Sequence, residues 1–261
     1  MSVNALVWGE NVHEHTNEHV RSLYPDGMHS CISEALNKHA GINATTATLQ
    51  QPEHGLDIDT LNKTDVLLWW GHAAHGDVSD EVVDRVQQRV WEGMGLIVLH
   101  SGHFSKPFKR LMGTPCSLTW REAGEKERLW SINPTHPVCA GLDEMFELPQ
   151  SEMYGEPFAV PEPAETIFIS WFEGGEVFRS GLTWQRGAGR IFYFGPGHET
   201  YPIYHDKNVQ RVLSNAVFWA ANHKPHWKDI EQAPNRPVSE ALEPIVQRGK
   251  SLHKEGEDGF K

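Results

Sequence analysis

Cysteine is scarce in this chain. Its 261 residues hold three, Cys31, Cys116 and Cys139, all far apart. No pair has Cys-x-x-Cys spacing, so there is neither a disulfide framework nor a thiolate zinc knuckle. Scattered thiols of this kind read as core packing in a reducing compartment, and a cytoplasmic protein is expected. Long apolar runs are also missing. None approaches the roughly 18 residues of a membrane span, and no basic start with an apolar core marks a signal segment. Positive charge is in deficit. Lys and Arg number 23 against 35 Asp and Glu, a net charge of −12. That balance argues against a phosphate-backbone partner, so neither nucleic acid nor membrane is expected.

Histidine is abundant instead, with 16 in the chain. Many follow short apolar runs. Ala5 to Trp8 reads as a buried strand closed by Gly9, and the polar loop Glu10 to His15 follows it. Asp65 to Trp70 reads as another strand, followed by Gly71-His72-Ala73-Ala74-His75. Leu96 to Leu99 is a third, ending in His100-Ser101-Gly102-His103 before a basic helical stretch. Gly189 to Phe194 reads as the last core strand, and Gly195-Pro196-Gly197-His198-Glu199 ends it. Helical spacing is predicted over 28–39, behind the N-cap Ser79, and again over 209–220. Ile42 to Leu49 alternates as a strand.

This order predicts an α/β fold with a doubly wound, mainly parallel sheet of flavodoxin-like type. Short strand-like pieces between Cys116 and Gln185 predict added antiparallel strands, with Ser151 to Pro157 as an acidic loop between two of them. Residues 1–228 are read as one α/β domain and 229–261 as a C-terminal arm with a short helix near Ser239 to Gln247. The arm is expected at the interface of a homo-oligomer.

Parallel strands deliver their carboxyl-terminal loops to one edge, where open α/β sheets bind ligands. Histidines gathered there suit a divalent metal, with zinc the expected ion. The ligands named first are His13, His72, His75 and His103; each taken alone also reads as a hydrogen-bonded loop residue. His100, at the strand-to-helix elbow, reads as an acid/base group or a ligand. Ser101 with His198 and Glu199 would form a nucleophilic set only if a base and an oxyanion hole surround it. Glu152, Tyr154 and Glu156 are candidates for binding sugar hydroxyls, and Trp70 for a flat face under a sugar ring.

The elbow and the late His-Glu pair resemble the class I glutamine amidotransferase-like superfamily. There a cysteine sits on the elbow; here His100 takes its place, which removes the thiol that glutamine hydrolysis needs. The chain is more similar to the ThuA-like family, associated with trehalose utilisation. The similarity rests on Tyr-Pro-Asp-Gly at 24–27, Trp-Gly-His at 70–72, Leu-His-Ser-Gly-His at 99–103, Glu-Met-Tyr-Gly-Glu-Pro-Phe at 152–158 and Pro-Gly-His-Glu-Thr at 196–200. The resemblance implies the amidotransferase-like fold and a role in sugar metabolism. The expected function is a metal-assisted enzyme acting on a disaccharide or keto-sugar by isomerisation, proton transfer or hydrolysis. The alternative is a non-catalytic sugar-binding or regulatory module on the same scaffold.

Overall fold

The central strands, Val66–Trp70 and Gly95–Leu99, are short and wholly apolar, as strands covered on both faces are expected to be. In a computed structural model, which describes residues 2–221 together with 240–241, 243–246 and 248–250, the elements run β1 (Val3–Gly9), α1 (His13–Thr16), α2 (Glu18–Leu23), α3 (Met28–Leu36), β2 (Ile42–Thr48), α4 (Ile58–Asn62), β3 (Val66–Trp70), α5 (Asp80–Glu92), β4 (Gly95–Leu99) and α6 (Lys106–Met112). They continue with β5 (Thr119–Ser131), β6 (Met145–Gly155), β7 (Glu165–Phe172), β8 (Val177–Arg186), β9 (Gly189–Phe194) and α7 (Lys207–Ala220). One nine-stranded sheet results, ordered β2-β1-β3-β4-β9-β8-β7-β5-β6. Strands β2, β1, β3, β4 and β9 are parallel neighbours, and β8, β7, β5 and β6 extend the sheet antiparallel. This is the flavodoxin-like, glutamine amidotransferase-like α/β architecture.

Alternation along the strands divides the core into two layers. Val7, Leu68, Ile97 and Phe192 face one side and pack with Ile32 of α3 and Val212, Ala216 and Val217 of α7. Trp8, Trp69, Val98 and Tyr193 face the other and pack with Val82, Val86 and Val90 of α5 and Phe108 of α6. Helix α5 starts as expected, with the Ser79 side chain accepting from Val82 N–H.

Three segments depart from the sequence reading. The loop after β1 contains helix α1, and α2 follows at once because Asn17 accepts from His19 and Val20 N–H and caps it. The pieces at Leu118 to Trp120 and Arg128 to Ile132 belong to one 13-residue strand, β5, whose register shifts between Arg121 and Glu127. Ser151 to Gly155 is no loop but the end of β6. Pro149 disguises that strand; proline is tolerated there because β6 is the sheet's edge.

The chain divides into residues 1–227 and 228–261. The helix expected near Ser239 to Gln247 lies partly outside the described residues, and residues 240–241 and 243–246 are not helical; Pro244, which has no N–H to give a helix, falls among them. No helix among the described residues is long and apolar enough to cross a membrane.

Candidate active site

The parallel strands stop in a row. Gly9 pairs with Trp70, Trp70 with Leu99, and Leu99 with Phe194. Whatever follows each strand therefore emerges at one edge, and two constellations form there.

In the first, His13, His72 and Glu199 converge. The Nδ1 atoms of His13 and His72 lie 2.6 and 2.9 Å from the same oxygen, Glu199 Oε1. Glu199 is buried. Burial alone would push its carboxyl up, but the hydrogen bonds and charges of the histidines hold it far below the usual range. The Glu199 hydrogen bond raises His13 against burial. At His72 burial is the largest single effect, but the Glu199 hydrogen bond and the charges of Glu199, Glu152 and Glu10 together outweigh it. Glu10 fixes the His72 loop from beneath, its carboxylate accepting from His72 N–H at 2.7 Å and Ala73 N–H at 2.8 Å. Two imidazole nitrogens and one carboxylate match a zinc-type donor set with an open position. One orphaned buried atom fits that reading: Glu199 Oε2 makes no hydrogen bond.

The second constellation is His100, Glu152 and His198. His100 stands at the elbow with φ of 48°, in the left-handed region that β-carbon-bearing residues seldom occupy. Its Nδ1 donates to Gly195 O at 2.7 Å, and its Nε2 lies 2.9 Å from Glu152 Oε2 and 3.1 Å from Tyr154 Oη. The His100 ring stacks on Tyr154, centroids 4.5 Å apart. Gly197 lets the last loop approach: its φ is +148°, and a β-carbon there would come within 3.0 Å of His100 Cβ. His198 Nε2 lies 3.8 Å from Glu152 Oε2 and 3.9 Å from Glu122 Oε1. Burial raises Glu152, but the bond to His100 and the surrounding histidine charges prevail and hold it below the ordinary carboxylate range. Burial, with His100 adding to it, pushes His198 down to about 4.

A cleft of about 420 Å³ opens beside these groups: His72 of the first constellation and Glu152 and His198 of the second reach its wall, with His103, Trp120 and Glu122. His75 and Ser101 also line it, although neither belongs to a constellation. Burial pushes His75 down to about 4. His103 is buried, its Nδ1 donates to Cys116 O at 2.7 Å, and burial pushes it down to about 3. These two histidines, named first as ligands, are thus single neutral imidazoles. The Ser101 hydroxyl makes no hydrogen bond, so no Ser–His–Glu relay is assembled. Trp70 is buried rather than offered to a ligand, and its Nε1 donates to Gly197 O at 3.0 Å. Glu156 is occupied elsewhere: Arg179 binds it at 2.8 Å, and it accepts from Phe158 N–H at 2.6 Å.

Glu10, Glu122 and Trp120 are the cleft-building residues that sequence reasoning overlooked. Glu10 had a signal, being the first polar residue after an apolar strand. Glu122 and Trp120 had none, since their direction depends on the strand pairing of β5 with β6.

A parallel-core sheet with a histidine at the strand-to-helix elbow, and with carboxylates around it, defines an amidotransferase-like fold with no thiol at the elbow. The chain belongs to the ThuA family, described as trehalose utilisation, whose model matches residues 4–220. Among solved structures it is similar to a ThuA-like protein from Parabacteroides merdae ATCC 43184, with 15% identity, a TM-score of 0.64, and 90% of this chain and 93% of that one covered. A ThuA-like protein from Bacteroides uniformis ATCC 8492 gives 16% identity and a TM-score of 0.59, covering 84% and 91%. PurLQS from Thermotoga maritima gives 12% and 0.52, covering 84% and 99%. At such identities the likeness is one of fold. Among curated proteins no match is found.

Proposed function

We propose that the cleft is the active site of a metal-assisted enzyme that moves a proton beside the carbonyl of a keto-sugar related to trehalose. The observation that carries this reading is the pairing of two different constellations in one place. One has the donor set of an ion site; the other joins a buried carboxylate to an imidazole that burial keeps neutral.

His13, His72 and Glu199 would hold a divalent ion, zinc being the best match to two nitrogens and one oxygen. When bound, such an ion supplies Lewis acidity toward a substrate oxygen. The remaining work falls to the chain's own groups. Glu152 is ionised, is steadied by His100 and Tyr154, and lines the cleft; it serves as proton acceptor. His198 Nδ1 accepts from Thr200 N–H at 3.2 Å, with Thr200 Oγ1 at 2.7 Å. The neutral ring therefore carries its hydrogen on Nε2. Nε2–H donates to an oxygen that gains charge as the carbon loses its proton, the role in which a neutral imidazole excels. The trehalose link comes from family membership.

The test is solvent exchange. In D2O, with zinc supplied, the protein should place deuterium on the carbon beside the carbonyl of the keto form of trehalose, read by NMR. A chelator should stop the exchange, and added ion should restore it. Exchange no faster than in the protein-free control, with zinc, manganese or magnesium present, would refute the assignment.

A further inference from the structure

Trp120 is the most exposed aromatic side chain among the described residues, at 65%. Two other exposed rings carry a cation: the Arg128 guanidinium lies 5.8 Å from the Trp171 ring, and Lys109 Nζ lies 5.3 Å from Phe104. The Trp120 indole has no ring, cation or hydrogen-bond contact among the described residues. Yet it stands in the wall of the cleft with Glu152 and His198. Leaving so large an apolar face in water is unfavourable, and an uncovered face in a concave site signals a ligand.

Its placement follows from strand pairing. Trp120 on β5 lies directly across from Tyr154 on β6. Side chains two apart on a strand share a face, so Glu122 joins Trp120 and Glu152 joins Tyr154 on one wall. That wall runs from the buried Tyr154–His100 stack out to the exposed indole at the mouth. Glu122, two residues along β5 from the indole, has a side chain 46% exposed.

We infer that Trp120 is the platform of a second sugar subsite, holding the glucose-type ring that does not react. This deepens the carbohydrate reading proposed above and rests on it. A pyranose with equatorial hydroxyls turns axial C–H groups to both faces, and those faces stack on the electron-rich indole. The hydroxyls at the ring's edge donate to carboxylates, and Glu122 stands on the same strand face as the indole. The ligand class is therefore a two-ring, glucose-based sugar, one ring at Glu152 and His198 and the other on Trp120.

Calorimetric titration of trehalose and of glucose into wild type, Trp120→Phe and Trp120→Ala tests this, with light scattering on each protein. The expected result is an about ten-fold or greater loss of trehalose affinity in Trp120→Ala. Trp120→Phe should fall between the two, and glucose binding should change far less. Unchanged trehalose affinity in Trp120→Ala would overturn the inference. So would equal losses for both sugars, or no trehalose binding by wild type. A smaller assembly for Trp120→Ala would overturn it too, by giving the indole to a contact between copies. Metal content measured on the same samples separates the two proposals: an ion retained while the platform fails leaves the metal-centre reading standing.

Discussion

Glu152→Gln lowers turnover of the keto-sugar by about a thousand-fold, within the 10²–10⁴ span typical of a positioned acid–base group. The exchange is isosteric. The amide of glutamine can still hydrogen-bond His100 Nε2, now 2.9 Å from Glu152 Oε2, its N–H donating where the carboxylate accepted, so the elbow keeps its partner and the protein keeps its fold. What is lost is the capacity to take a proton. The signature is a fall in kcat with KM little moved, because the interaction removed acts in the transition state. Steady-state kinetics on the deuterium-exchange reaction measure it. A loss below about ten-fold would take the proton-acceptor role from Glu152.

The ion-free protein loses stability steeply in mild acid, by about 3 kcal/mol per pH unit between pH 6 and 4.5. Burial pushes His75 and His198 down to about 4 and His103 to about 3. Unfolded, each binds a proton near its ordinary value of 6.5, so in this window the unfolded state holds three protons that the folded state does not. Stability therefore rises with pH and falls with acid. Glu127 opposes this: burial raises it to about 7, so the folded state holds one proton that the unfolded state has released. The balance is at least about two protons, since His29 and His136, which burial also lowers, act in the same direction as the three. His13 and His72 are shifted upward, so their folded forms bind protons at least as readily as the unfolded chain and add nothing to the loss in acid. Urea denaturation after chelation, from pH 6.5 to 4.5, measures the slope. Stability that stays level over that range would mean these imidazoles ionise freely in the folded protein.

The skeleton of this fold was legible in the sequence because its strands are nearly pure apolar runs that end in glycine or histidine. Val66 to Trp70 and Gly95 to Leu99 admit one reading, and a parallel order brings their loops to one edge. Convergence of His13, His72, His100 and His198 follows from that alone. Which loop residues meet does not follow, because loop side chains take their direction from single dihedral angles and anchors. Glu199 joins His13 and His72 although His198, its neighbour, joins Glu152. His75 and His103 have spacing as suggestive as that of His72, but no carboxylate reaches them. The platform reading fell on Trp70, whose neighbours on β1 and β4 bury it, while Trp120 occupies a bulged strand whose face is set only by pairing with β6. The acidic segment at 151–157 shows the same limit: Glu152 points into the cleft from β6, and Glu156, four residues on, turns to Arg179.

The claim at the centre of this account is that His13, His72 and Glu199 form an ion site beside a separate acid–base set. Inductively coupled plasma mass spectrometry tests it most directly, on wild type and His72→Ala purified without a histidine tag. The account predicts about one equivalent of a divalent ion, zinc foremost, in wild type and its loss in His72→Ala. No ion in wild type after reconstitution with zinc at neutral pH, or a full equivalent retained by His72→Ala, would contradict it.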